Sequence, residues 1–204
     1  MRLHKYDDAG QAFPIYITVV AGLLFLAFAY LAVGQAAATR NSAQTAADAA
    51  ALAAAQDTRD KLAAQWKDVL LDPTKWQDIL DGRAAVLDGC PRANQLAEQN
   101  DAHVIIGQCE GHLWDLSYTV KVETNKTVGD SIVPGTETRH ATATAKAVIE
   151  PLCPFELPGG SARGDVLPGL TCKDRYWKLD PNAPSGLPEP KDLFDVHLAE
   201  LTSE

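Results

Sequence analysis

The chain has 204 residues, with 27 acidic and 18 basic side chains and a formal net charge of -9. Nucleic-acid binding needs a basic face for phosphate contacts, so this charge balance argues against a nucleic-acid partner. Once the N-terminal helical segments described below are set aside, about 150 residues remain, which is room for one modest domain and not for two.

An apolar segment without any charged residue occupies residues 13–33. As a helix rising ~1.5 Å per residue it would be about 31 Å long, enough to cross the hydrocarbon core of a bilayer. A cleaved secretory signal is the alternative, but the segment is longer than a usual signal core, and its helical pattern continues past any cleavage point. We therefore predict a single-pass transmembrane helix that anchors the protein in the cell membrane.

The charges that flank this segment predict its orientation. Arg2 and Lys5 precede it, whereas the first charge after it is Arg40. Because positive charge favours the cytoplasmic side, residues 1–12 are predicted to be a cytoplasmic leader, with the chain beyond the apolar segment outside the membrane.

Alanine, the best helix former, dominates residues 34–58 and predicts a helical extension of the membrane segment. Small side chains also let another helix approach closely. On one side of the extension they predict a helix-packing face for other subunits, formed by Ala36, Ala43, Ala47, Ala50 and Ala54. A solvated linker helix explains the same composition equally well.

Residues 59–150 predict a small extracytoplasmic domain of short helices on an antiparallel sheet. Three helical pieces are indicated, one ending before Pro73, one ending at Gly82 and one from Cys90 to Asn100. Strands are predicted at 103–106, from Leu113 to Glu123 and from Ala141 to Glu150, the last two alternating apolar with polar residues and joined as a hairpin. The fold class is therefore α+β, with the helices covering the apolar face of the sheet.

The four cysteines all lie on the predicted outer side and predict two disulfides. Four cysteines allow three connectivities. Pairing in chain order joins Cys90 to Cys109 and Cys153 to Cys172, and it closes two loops of similar length, each stabilising by about 3 kcal/mol. Residues 151–204 are rich in proline and glycine, and we predict a tail held by the second of these disulfides, with an apolar last segment that docks elsewhere.

No catalytic constellation is recognisable in the sequence, and we predict neither an enzyme nor a cofactor or metal site. The nearest acid and base candidates are Asp101 with His103 and His112 with Asp115, neighbours in sequence only. The cysteine and histidine spacings do not match those of structural zinc sites.

The N-terminal residues resemble those of TadE/TadG-like proteins of the tight-adherence (Flp) pilus systems, in particular the actinobacterial TadG-related type. Gly10-Gln11-Ala12 and the string AQTAADAAALAAA at residues 43–55 carry the resemblance, and the order of Cys90, Cys109 and a hairpin extends it to about residue 150. Leader cleavage in such prepilins follows a glycine, which here is Gly10 before Gln11. The expected glutamate at the fifth position is Ile15, whereas the expected tyrosine at the sixth is present as Tyr16.

This resemblance implies a non-enzymatic pilin-like or assembly subunit of a pilus or related envelope secretion apparatus. Its partners would be the lipid bilayer, other pilin-like or Tad membrane subunits bound through the N-terminal helix, and copies of itself. The alternative function is a membrane-tethered extracellular binding or sensor domain that recognises its ligand through the tail and the hairpin loop.

Overall fold

The computed structural model describes residues 12–127, 138–157, 167–180, 182–183 and 186–201. The predicted cleavage position at Gly10 and Gln11 lies outside these ranges, and so does most of the predicted hairpin loop, with Gly129 and Pro134.

One continuous helix, α1, runs from Ala12 to Asp68. At ~1.5 Å per residue its length is about 85 Å. Pro14 lies in the first turn, where a missing N–H costs nothing. The helix is continuous to Asp68. The first short helix predicted for the domain, which begins at residue 59, is therefore the end of α1 and not a separate helix. A short 3-10 turn, Pro73–Lys75, follows it.

Two further helices lie before the sheet, α2 at Trp76–Leu80 and α3 at Cys90–Gln99. Both agree with the predicted pieces, and a proline at a first-turn position opens α3. The loop between them is tied to α1 by Lys61, whose Nζ lies 2.7 Å from carboxylate oxygens of both Asp57 and Asp88. These two carboxylates raise the pKa of Lys61 above its usual range.

The main sheet has four antiparallel strands in the order β1-β2-β3-β6. Their bounds are β1 Ala102–His112, β2 Ser117–Thr127, β3 His140–Pro151 and β6 Phe194–Ala199. The predicted alternation of β2 and β3 is confirmed, because Tyr118 pairs with Ala147 and Val120 with Ala145 on one buried face. Lys121 and Thr144 pair on the other face.

Strand β1 is longer than the predicted strand at 103–106. The pairing with β2 shifts between Val104 and Cys109, where extra residues form a bulge that includes Gly107 at φ 74° and Ile106, which is 99% exposed. A bulge breaks the period of two, so alternation could not reveal the second half of this strand. The predicted start of the next strand at Leu113 is also wrong, because residues 113–116 form a turn before β2.

The C-terminal segment contributes to the sheet as well as to a separate hairpin. Strand β6 pairs with β3, from Lys146 opposite Ala199 to Pro151 opposite Phe194. Before it lie a two-stranded hairpin, β4 Leu170–Cys172 with β5 Arg175–Trp177, and the short helix α4 Pro190–Leu193. The predicted docking of the last apolar residues is therefore the addition of a fourth strand.

Both disulfides are present and join the cysteines in chain order, Cys90 to Cys109 and Cys153 to Cys172. The first links the start of α3 to β1. The second links Cys153, two residues after the end of β3, to β4, and next to it the Lys173 N–H donates to the Leu152 carbonyl at 3.0 Å.

Removing the Cys153–Cys172 disulfide with a double serine variant should free the β4–β5 hairpin while the four-stranded sheet stays folded. Each disulfide spans 19 residues, so the two should stabilise the folded state by similar amounts, about 3 kcal/mol each. Trypsin should then cut the variant first after Lys173 or Arg175. The matched control is the double serine variant at Cys90 and Cys109, and equal cleavage at β5 in both variants would contradict this prediction.

Candidate functional site: helix α1 and its junction with the domain

The first part of α1 exposes apolar side chains on all sides. Among the described residues, α1 is the one helix long and apolar enough to cross a membrane, and none of its apolar window is buried within the chain. A soluble helix would cover such residues. This part of the helix therefore has the composition and exposure of a single-pass membrane anchor.

Residues 34–42 follow, and we call them the collar. Their side chains are exposed except that of Thr39, whose Oγ1 donates to the Gln35 carbonyl one turn earlier. Arg40 is the first charged residue of the helix. The collar is about 13 Å long and separates the apolar segment from the domain.

The part of α1 beyond the collar forms the centre of the domain. Ala43, Ala47, Ala50 and Ala54 are all 0% exposed. This side of the helix packs against β2, β3 and β6, and α3 lies against the helix as well. The predicted packing face thus contacts the chain's own sheet and helix, and these four alanines are not available to other subunits in the folded domain. Ala36, the fifth predicted member, is exposed in the collar.

More alanines are buried than one packing face explains. Ala46, Ala51, Ala53 and Ala55 are also buried. The sheet and α3 enclose the helix from two sides, so small residues are needed around much of its circumference. Adjacent alanine pairs in the sequence were the signal for this arrangement, because a single packing stripe requires small residues only at three- and four-residue spacings.

The contact between α1 and its surroundings is very close at Gly89. A Cβ atom added there would lie 2.4 Å from the Ala54 carbonyl oxygen, so only glycine fits. The Gly89 N–H donates to the Tyr118 hydroxyl at 2.9 Å, and the same hydroxyl lies 2.8 Å from Thr58 Oγ1. One buried tyrosine thereby joins the sheet, the α2–α3 loop and α1.

The two acid and base candidates do not form pairs in the structure. His103 Nδ1 lies 2.8 Å from Asn125 Oδ1, while Asp101 binds Lys126 at 3.1 Å. His112 packs near the Trp114 ring. One group of three side chains that could hold a metal occurs in the described part of the chain, Glu150, Asp195 and His197, and it lies on the solvent side of the sheet.

Asp115 belongs to a polar cluster at the start of β2. It accepts hydrogen bonds from Lys146 Nζ at 2.7 Å and Ser117 Oγ at 2.6 Å, and Lys146 Nζ lies 5.2 Å from the Trp114 ring centre. Burial acts to raise the pKa of Asp115, but the bonds from Lys146 and Ser117 together outweigh it and hold the pKa below its usual value.

We expect Asp115 to contribute to acid sensitivity. Because its pKa is lower in the folded state, the carboxylate stabilises the fold above about pH 4 and loses this effect as the pH falls through the folded pKa. Replacing Asp115 by Asn should make the unfolding free energy fall less steeply below about pH 4. Unfolding curves in detergent across this range check this, with Asp101→Asn as the exposed control. Identical slopes for Asp115→Asn and the unmutated protein would contradict it.

Residues 10–57 match a family model described as "Tad: Putative Flp pilus-assembly TadE/G-like". The matched residues run from the predicted cleavage position through the apolar segment and the collar to the end of the alanine-rich part of α1. The resemblance to TadE/TadG-like proteins is confirmed for residues 10–57, and the sheet lies beyond the matched residues. Comparisons with curated proteins and with solved structures gave no significant match.

Proposed function

We propose that the protein is a non-enzymatic, pilin-like assembly subunit of a Tad (Flp) type pilus or a related envelope secretion apparatus. The observation that carries the proposal is that the two parts of α1 have different surroundings. Its first part offers apolar surface to a bilayer and to neighbouring helices, and its second part is the core of the protein's own domain. The Tad family match covers the first part and extends into the second as far as residue 57.

The exposed surface of residues 13–42 is the proposed contact with other membrane subunits. Without a hydrophobic driving force in the bilayer, helices associate through close packing of small residues. Gly22 and Gly34 have no atom of the chain within reach of an added Cβ, so another helix can approach there. Ala36 in the collar has the same property of small size and exposure.

In the proposed orientation the leader is cytoplasmic and the domain is outside. The basic leader residues and the two disulfides support it, because disulfides persist in oxidising compartments. A continuous helix across the collar would then hold the domain at a set height above the membrane, as part of one rigid subunit.

Photocrosslinking in intact membranes tests this proposal. A photoreactive residue at Ala37, which is exposed in the collar, should capture other pilin-like or Tad membrane proteins. The matched control places the same residue at Lys121 on the open face of the sheet, where no partner helix is expected. Capture of lipid alone from Ala37 would argue against an assembly subunit and in favour of a membrane-tethered binding domain.

A further inference from the structure

A cleft in the C-terminal segment has no role in the contacts described so far. The four consecutive residues Arg175–Lys178 form one side, and Gly186, Leu187 and the start of α4 form the other. Its volume is about 410 Å³. Successive residues of a strand point to opposite faces, so a cleft that touches all four runs along the outer edge of β5.

The β5 edge is open for pairing. Strand β5 pairs with β4, and no other strand of the described ranges adjoins it. The hairpin is also held firmly, by the Cys153–Cys172 disulfide at β4 and by Tyr176, whose hydroxyl lies where a Cβ on Gly169 would be. An extended peptide can add to such an edge through main-chain hydrogen bonds.

Two cations on this edge, Arg175 and Lys178, have no acidic partner within the described ranges. The Arg175 guanidinium stacks on the Trp177 ring, with its Cζ 3.7 Å from the ring centre. The salt bridges of the described residues include neither Arg175 nor Lys178. By contrast, the acids across the cleft are engaged, since Glu189 binds Lys191 at 2.8 Å and Asp192 accepts the Glu189 N–H at 2.8 Å.

The position of the cleft excludes the protein's own membrane as its ligand. Helix α4 packs against α1. Lys191 lowers the pKa of Glu189, and the charge of Lys67 near the end of α1 lowers the same pKa further, so Glu189 lies close to Lys67. Lys67 follows the apolar segment by 34 residues. Along a continuous helix this distance is about 50 Å, well beyond the lipid headgroups.

We propose that this cleft binds an extended, acidic segment of a neighbouring polypeptide, which pairs with the outer edge of β5. Its carboxylates bind Arg175 and Lys178. Edge pairing favours a polypeptide over a phosphate polymer, because a polymer without amide groups cannot extend the strand. This proposal rests on the proposed function in one respect, namely that the neighbouring polypeptide is another subunit of the assembly.

The test uses the full chain in nanodiscs and a fluorescent peptide in which Glu-Glu and Thr-Thr pairs alternate, so that an extended strand carries carboxylates on both faces, as Arg175 and Lys178 require. The peptide should bind, more weakly as salt rises, and at least about tenfold less tightly to the Arg175→Gln/Lys178→Gln variant. The uncharged control peptide, in which Gln-Gln and Thr-Thr pairs alternate, should bind weakly to the unmutated protein and to the variant. The matched control, Lys121→Gln/Arg139→Gln, removes two cations elsewhere and should bind the acidic peptide like the unmutated protein.

Three outcomes would overturn the proposal. They are no binding of the acidic peptide, equal loss in the control variant, or tighter binding of polyphosphate than of the peptide at equal charge. Since this assay contains no other subunit, a failure to bind the peptide would say nothing about the assembly role, which the crosslinking experiment tests. Conversely, if the peptide bound but Ala37 captured lipid alone, the proposed peptide site would stand and the assembly role would be rejected.

Discussion

Replacing Ala47 and Ala50 together by leucine should unfold or undock the domain from α1. Both positions are fully buried against the chain's own sheet and α3, where added methyl groups have no space. Overpacking of a close-packed core costs about 1–3 kcal/mol per substitution, a large part of the stability of a small domain. Unfolding by guanidinium in detergent, followed by tryptophan fluorescence, should show a lower midpoint in the variant.

The control for this experiment is Ala37→Leu, which adds the same side chain to the exposed collar and should leave the unfolding midpoint unchanged. The pair separates two explanations of lost assembly. If the double variant stayed folded yet no longer co-purified with pilus components, the alanines would contact other subunits, and the packing described above would be wrong.

Replacing Trp76 by alanine should have the second large effect. Its ring is fully buried in an aromatic cluster, 5.6 Å from the Trp66 ring and 5.1 Å from the Phe155 ring. Its Nε1 donates to the Val69 carbonyl at 3.1 Å, which holds α2 against the end of α1. Loss of a buried tryptophan costs about 3–5 kcal/mol. Pulse proteolysis of the domain in detergent measures this loss directly.

Trp114→Ala is the matched control, because this tryptophan is 81% exposed on the turn before β2. Its removal should change the unfolding free energy by less than about 1 kcal/mol. Equal destabilisation by both variants would mean that the cluster of Trp66, Trp76 and Phe155 contributes no more to the stability of the domain than an exposed tryptophan does.

Several parts of the fold could be predicted because their signals are local. Residues 13–33 contain no charged residue, and β2 and β3 alternate apolar with polar residues. Each of these patterns is visible within its own segment, without knowledge of the rest of the fold. The short helices α2 and α3 were likewise marked by Gly82 and by Pro91 after Cys90. The chain-order pairing of the cysteines was predicted from similar loop lengths, but those lengths do not exclude the other two connectivities, and the structure decided among the three.

The C-terminal strand β6 is a part of the fold that local sequence patterns could not predict. The segment 194–199 was predicted to dock, but nothing within it indicates that β3 is its partner. Pairing partners distant in sequence are chosen by which strand edge the completed core leaves open. The β5 edge with Arg175 and Lys178 likewise could not be found from the sequence, because a cleft needs two walls from different parts of the chain.

The sequence by itself determined that the chain has an apolar anchor followed by an alanine-rich helix and a sheet, because hydropathy and periodicity are properties of consecutive residues. Only the tertiary structure decided what covers the alanines. A small side chain permits close approach by any surface, whether a second subunit or the chain's own sheet. The sheet and α3 pack around the helix from Ala43 to Ala55, whereas residues 13–42 are not covered by the rest of the described chain.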